Sequence, residues 1–341
     1  MNSRERVHRA ITYQHVDRIP AGLFGTTAEY EQRLAGCFGL GTREAMYRQQ
    51  GIDVWHTGGP SYKGPVLQYK GRPADILRDM YWENNPQPPF ADVRSIDEVL
   101  SYPIPSLDDF DGTALDLEIR NHEEFALCTG INAAIFHNFL YLCGQENALC
   151  LLKEEPDIAL AIVNHITGFW NAYLARTLDI AAGRGVLVEN CNDFGTQHSM
   201  FISGEDFRRF FKPSLRLFCE TAHNYRVFYM QHSCGDVSPI LDDYVEIGVD
   251  VLNPIQVQAT DMELASVVSR FQGRLAFYGG IDTQVLLPQG SEDAIRSAVS
   301  AAVSLFGSGG GFILSGSQGL MDDIPLAHAA AMLDCRLRTF E

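Results

Sequence analysis

Eight short apolar runs punctuate the sequence, near residues 19–24, 52–56, 125–129, 186–190, 226–232, 250–253, 275–279 and 311–315. Between most of them lie stretches with helical spacing, at 3–11, 28–34, 144–153, 156–180, 205–225, 237–246, 264–271, 291–306 and 325–338. Strands separated by whole helices pair in parallel, because a parallel neighbour needs a crossover connection rather than a tight turn. Eight such units in 341 residues point to an α/β fold of the (β/α)8 TIM-barrel type. The competing open doubly wound sheet has no GxGxxG after its first strand, and no GxxxxGK[ST] occurs anywhere.

The exception to the rhythm is the stretch from about 58 to 106. Pro60, Gly64, Pro65, Gly71, Pro73, Pro86, Pro88, Pro89, Pro103 and Pro105 break it into short segments. It reads as a hairpin-bearing insertion after the second strand of a single domain, of the kind that helps to build a site.

Charge and cysteine usage narrow the function. The formal charge of −17 and the lack of a Lys/Arg cluster argue against a nucleic-acid partner. No run of about 18 apolar residues is present to span a bilayer, and the first residues lack the apolar core of a signal peptide. A cytoplasmic protein without a membrane partner is expected. The eight cysteines show no CxxC pairing, so thiols serve as ligands or nucleophiles rather than in disulfides.

In a barrel, catalytic groups gather where each strand ends. Those ends carry Phe24, His56, Glu189, Cys191 and Asp193. They continue with His232-Ser233-Cys234, Asn253, Tyr278, Asp282 and Gln318. Residues i and i+2 of an extended chain point the same way, so His232 and Cys234 converge on one point. An imidazole and a thiolate there supply half of a tetrahedral zinc site. Asp193, Asn253 and Asp282 are the candidate catalytic polar groups. Asp282 also reads as a helix cap and Asn253 as a loop-backbone partner. Phe24, His56, Tyr62, Glu189, Cys191 and Tyr278 are the candidates for lining the substrate pocket.

A set of motifs carries a resemblance over essentially the whole chain. They are Arg4-Glu5-Arg6, Asp17-Arg18-Ile19-Pro20, Asn192-Asp193-Phe194-Gly195-Thr196-Gln197 and Phe211-Lys212-Pro213. His232-Ser233-Cys234-Gly235, Gly248-Val249-Asp250-Val251-Leu252-Asn253-Pro254, Gly279-Gly280-Ile281-Asp282 and Gly309-Gly310-Gly311-Phe312-Ile313-Leu314 complete the set. In order and spacing they resemble the uroporphyrinogen decarboxylase-like superfamily. Within it, the decarboxylase itself has an arginine-containing motif after the first strand; the matching stretch here, Leu23-Phe24-Gly25-Thr26-Thr27, has none.

The motifs are closest to the zinc- and corrinoid-dependent methyltransferases of the methylcobamide:coenzyme M methyltransferase or O-demethylase type. The resemblance implies Zn2+ on His232, Cys234 and a third residue, and a corrinoid (cobalamin) carried by a partner protein. The family's third ligand is a cysteine after the last strand, where this chain has Gln318. Gln318, Cys191, Glu189 and Asp193 all remain open as the third ligand, with Asp193 or Asp236 expected to orient His232. The implied reaction moves a methyl group between a small methylated compound, or a thiol or pterin acceptor, and the corrinoid protein. The rival readings are a metal-free decarboxylase or lyase centred on Asp193 and a non-catalytic small-molecule-binding barrel. A homodimer is expected by analogy alone.

Overall fold

The computed structural model describes residues 1–340 apart from 75, 80–82, 84 and 132. Seven parallel strands form one curved sheet in chain order: β1 (Val54–Thr57), β2 (Ala126–Gly130), β3 (Gly185–Cys191), β4 (Phe228–His232), β5 (Val251–Asn253), β6 (Ala276–Ile281) and β7 (Phe312–Gly316). The eighth stave is shorter than the six residues expected at 19–24. Only Ala21 and Gly22 bridge, to Leu314 of β7 and Val54 of β1 respectively. That is enough to close the barrel. The Leu314 N–H donates to the Pro20 carbonyl and the Asp53 N–H to the Ala21 carbonyl, both at 2.8 Å. Pro20 has no N–H to extend the ladder backwards, and Gly25, at φ +67°, turns the chain out of it.

Helices sheathe the outside. The sequence reading did not include Thr113–Asn121 or Ile135–Cys143, and the latter matters for the site. The helix expected at 205–225 is interrupted: a π turn, Phe207–Phe211, leads into Lys212–Asn224. Pro213 cannot donate the bond that a continuous α-helix would make at that point. The longest helix, Pro156–Ala181, is long and apolar enough to cross a membrane by those measures alone, and 56% of its most apolar stretch is buried inside the protein. The insertion contains an antiparallel hairpin, Leu67–Tyr69 with Arg72–Ala74, and Ser61–Tyr62 pairs with Phe110–Asp111.

The lumen is layered. Val54, Ala126, Leu187, Met230, Val251, Ala276 and Ile313 form a buried apolar floor with Val7 and Ile11 of the N-terminal helix Ser3–Ile11, which plugs the barrel from below. Strand side chains alternate in direction, so the next inward position on each strand lies two residues on, about 6.6 Å higher. Those positions are His56, Cys128, Glu189, His232, Asn253, Tyr278 and Ser315. Most apolar floor residues are thus succeeded by a polar one, while Cys128 and Tyr278 stay fully buried and pack with the floor.

A buried ionic hub holds the closure. Asp53 is fully buried. It accepts hydrogen bonds from Arg6 at 2.7 Å, from Arg18 at 2.6 and 2.9 Å, and from the Ala21 N–H at 3.2 Å. Removing one member of such a group strands the other charges. Asp53→Ala is therefore expected to lower unfolding free energy by about 3–5 kcal/mol, read from the denaturant midpoint.

The Arg6 guanidinium beside Asp17 holds that carboxyl well below the usual carboxylate range. Its contribution is complete above the unfolded pKa, about 4, and is lost as pH falls through the folded value. The acid limb of a stability–pH curve should therefore be shallower for Asp17→Asn than for wild type.

Candidate metal centre

Register sets the site before any side chain is considered. Cys191, His232 and Asn253 are direct partners across β3, β4 and β5. All three face the lumen, so their side chains form one row.

His232 is buried and fixed from both sides. Its Nδ1 lies 2.6 Å from Asn253 Oδ1, while the Asn253 amide nitrogen donates to the Tyr278 carbonyl at 3.2 Å. With its nitrogen so engaged, Asn253 turns its oxygen to the ring, and His232 must carry its proton on Nδ1. A ring that gives up its Nε2 proton to a metal ion would then present that lone pair to the mouth, the orientation a ligating histidine needs. Asn253, rather than Asp236, orients the ring: Asp236 instead caps the Ser238 N–H at 3.0 Å. Phe24 stacks on the imidazole, centroids 4.7 Å apart and planes 20° apart.

Around Nε2 stand Cys234 Sγ at 3.3 Å and Asp193 Oδ1 at 3.4 Å. Cys191 joins them, because the donor atoms of Cys191, Asp193 and His232 all lie within 4.8 Å of one another. Bonds of about 2.0–2.3 Å at tetrahedral angles separate ligand atoms by about 3.3–3.8 Å. The two distances from Nε2, 3.3 and 3.4 Å, match those edges, while Cys191 is bounded only by the 4.8 Å of its group with Asp193 and His232. The clustered donors, one imidazole, one sulfur and one carboxylate, suit zinc, and the Cys234 sulfur stands beside the imidazole.

Two loops supply Asp193 and Cys234, and they interlock backbone to backbone. A side chain on Gly195 would place its Cβ 2.6 Å from the Cys234 carbonyl oxygen, and one on Gly235 would sit 2.4 Å from the Thr196 carbonyl oxygen. This close approach lets Asp193 Oδ1 accept the Cys234 N–H at 2.8 Å.

Electrostatics follow from crowding. Burial alone would raise the Asp193 carboxyl. Contacts with His232 and the Cys234 N–H outweigh it and hold the group well below the usual carboxylate range. Burial opposes a charge on His232, yet the Cys191 sulfur and the Asp193 carboxylate raise its pKa well above the ordinary value. Burial pushes the Cys191 thiol up, with His232 pulling it partly back.

The remaining candidates divide. Gln318 reaches the centre, but its amide nitrogen faces Cys234 Sγ at 2.9 Å, as a donor to sulfur. His56, Glu189 and Tyr278 are linked in a second lumen cluster beside the first. Tyr62 is engaged in the insertion, donating to the Pro65 carbonyl at 2.8 Å and packing on Phe110. The Asp282 carboxylate is taken up by the N–H groups of Gln284, Val285 and Leu286 and by Gln258.

One neighbour escaped the sequence reading: His137, whose Nε2 lies 3.9 Å from Asp193 Oδ2. It sits on the helix Ile135–Cys143, whose run of apolar and aromatic residues has no side-chain cap to mark its start. The signal that was available is the register row itself, since Cys191, His232 and Asn253 each end a strand.

These features define a TIM barrel whose mouth carries a metal-competent cluster of His, Cys and Asp. The family profile described as uroporphyrinogen decarboxylase (URO-D) matches residues 84–338, and the chain belongs to that family. Among solved structures, a methyltransferase from Methanosarcina mazei superposes over 98% of both chains with a TM-score of 0.71 at 16% identity. The D-psicose 3-epimerase of Clostridium cellulolyticum H10, solved with D-tagatose, aligns over 91% of this chain and 92% of its own, with a TM-score of 0.44 at 10% identity. Comparison with curated proteins gives no match.

Gly22 shows how tightly the lumen is built. A Cβ there would lie 1.7 Å from the Tyr278 hydroxyl oxygen, which is bound to His56 at 3.0 Å. Gly22→Ala must displace that fully buried ring and is expected to cost about 1–3 kcal/mol, measured by thermal unfolding.

Proposed function

We propose that the protein is a zinc-dependent methyltransferase that moves a methyl group between a small methylated compound, or a thiol or pterin acceptor, and a corrinoid protein. The observation that carries this reading is the convergence of His232, Cys191 and Asp193, with Cys234 beside His232 Nε2 and Asn253 holding the ring from Nδ1. A barrel matching a methyltransferase over its whole length supports it.

His232 and Cys234 would hold the ion, with Cys191 and Asp193 completing the shell from the neighbouring strand. That arrangement moves the third ligand from after the last strand, where Gln318 stands, to β3. When bound, zinc supplies Lewis-acid activation of a thiol or a methoxy oxygen. The chain's own contributions are distinct. Asn253 fixes the imidazole, Gln318 donates to the Cys234 sulfur and tempers its charge, and Phe24 walls the site against water. His137 sets the far side of Asp193.

The decarboxylase reading asks for cations to grip an acidic substrate. Among the described residues, no Lys or Arg is a hydrogen-bond or ion-pair partner of Asp193, Glu189, His56 or His232. Asp193 and Glu189 place two carboxyl groups there instead, which disfavours a polycarboxylate.

Purified protein should contain about one zinc per chain by elemental analysis, and His232→Ala should lose both the metal and methyl transfer to a corrinoid acceptor. Zinc far below stoichiometric, with activity intact in His232→Ala, would end this reading. Asn253→Ala leaves every ligand in place yet should weaken zinc affinity about 10–100-fold in chelator competition. Gln318→Ala is expected to leave zinc stoichiometry unchanged, whereas Cys191→Ser lowers affinity.

A further inference from the structure

The helix that carries His137 begins without a cap of its own. Ile135–Cys143 is preceded by Ala133 and Ala134, whose methyl groups cannot accept the free N–H groups of a first turn. The missing acceptor comes from another strand. Asn192, fully buried one residue past β3, accepts the Phe136 N–H on Oδ1 at 3.0 Å and donates from Nδ2 to the Ala133 carbonyl at 3.2 Å. We propose that Asn192 is a positioning residue of the metal centre. It sets the helix Ile135–Cys143 so that His137 stands against one oxygen of Asp193 and leaves the other to face the ion. The ion rests on the methyltransferase reading, whereas the placing of His137 by Asn192 does not.

The two segments meet residue by residue. Asn192 holds the main chain of Phe136, Asp193 Oδ2 faces His137 Nε2 at 3.9 Å, and the Phe194 ring stacks on Phe136 with centroids 5.2 Å apart. Three consecutive residues after β3 thus grip two consecutive residues of the helix. The same three are tied to the histidine ligand. The Asn192 N–H donates to the His232 carbonyl at 2.8 Å, and the Phe194 N–H donates to Ser233 Oγ at 3.0 Å. Asn192 therefore follows His232 through its main chain and fixes the helix through its side chain. Without the amide, a buried N–H and a buried carbonyl lose their partners, and the helix start must shift to find others. His137, one residue beyond Phe136, would move with it.

Asp193 shows why the place of His137 matters. Its two oxygens have different surroundings. Oδ1 accepts the Cys234 N–H at 2.8 Å and lies 3.4 Å from His232 Nε2. Oδ2 has no hydrogen bond among the described residues, and His137 is the basic group that faces it. A carboxylate free to turn can offer a metal both oxygens, which would expand a four-coordinate shell. A side chain standing on the Oδ2 side opposes that turn. The His137 ring is itself braced by Tyr141, one helical turn on, with centroids 5.8 Å apart. Partners of this outer kind orient ligating groups and tune their affinity.

Cobalt(II) loaded in place of zinc tests the arrangement, because its visible spectrum is strong in a four-coordinate shell and weak in an expanded one. Wild type should give the strong spectrum. His137→Ala and Asn192→Leu should each weaken it, and each should lower zinc affinity about tenfold or more in chelator competition. Added to His137→Ala, the change Asn192→Leu should cost less than about a further twofold, because both act through one contact. Asn192→Asp keeps an acceptor for the Phe136 N–H and should retain the wild-type spectrum, and it carries the test if Asn192→Leu does not fold. An unchanged spectrum in His137→Ala, a weak one in Asn192→Asp, or fully additive losses in the double variant would overturn the proposal while leaving zinc binding by wild type intact. A wild type that takes up neither metal ends the metal reading and this role of Asn192 together.

Discussion

The buried carboxylate of Asp53 is the joint on which the barrel closes. It lies one residue before β1 and grips Arg6 from the N-terminal plug, Arg18 from the approach to the first stave, and the N–H of Ala21. The stave it secures has only two bridged residues, too few to hold a barrel shut by ladder bonds alone. Ionic contacts at the floor thus do what a longer strand would otherwise do. They also bring Phe24, two residues beyond Gly22, over His56 and His232.

Above that floor, a two-residue period converts fold into chemistry. Each strand spends one inward residue on apolar packing and the next on a polar group, so the lumen passes from a dry base to a reactive mouth within one step of about 6.6 Å. Packing energy from the lower layer and the helical sheath is what offsets the burial of His232, Asp193, Glu189 and Asn253. The upper layer places the polar groups of the candidate site.

Much of this was legible from sequence because it depends on periodicity. Apolar runs separated by helices revealed the barrel, and the i, i+2 relation placed His232 beside Cys234. Phe24, His56, Glu189, Cys191 and Tyr278 were recognised as mouth residues from their place at strand ends. What was not legible depends on contacts between distant segments. Asn253 read as a loop residue because its partner, His232, lies on another strand, and Asp236 was expected to orient the His232 ring only because it is near in sequence. Asp282 was ambiguous until its backbone partners were visible. His137 stayed hidden because the helix that carries it is too apolar and aromatic to advertise its period. Tyr62 lies in the insertion, where proline and glycine remove the periodic signal that a reader relies on.

The interlocked glycines at 195 and 235 have a consequence for how such a site can evolve. Each would clash with the other loop's main chain, not with a side chain that could shrink in compensation. Neither position can therefore be explored by a substitution that another substitution repairs. The neighbouring side chains of Asp193, Cys234 and Gln318 face no such main-chain clash. The crossing therefore constrains the main chain of the candidate site more tightly than it constrains the side chains that the two loops carry.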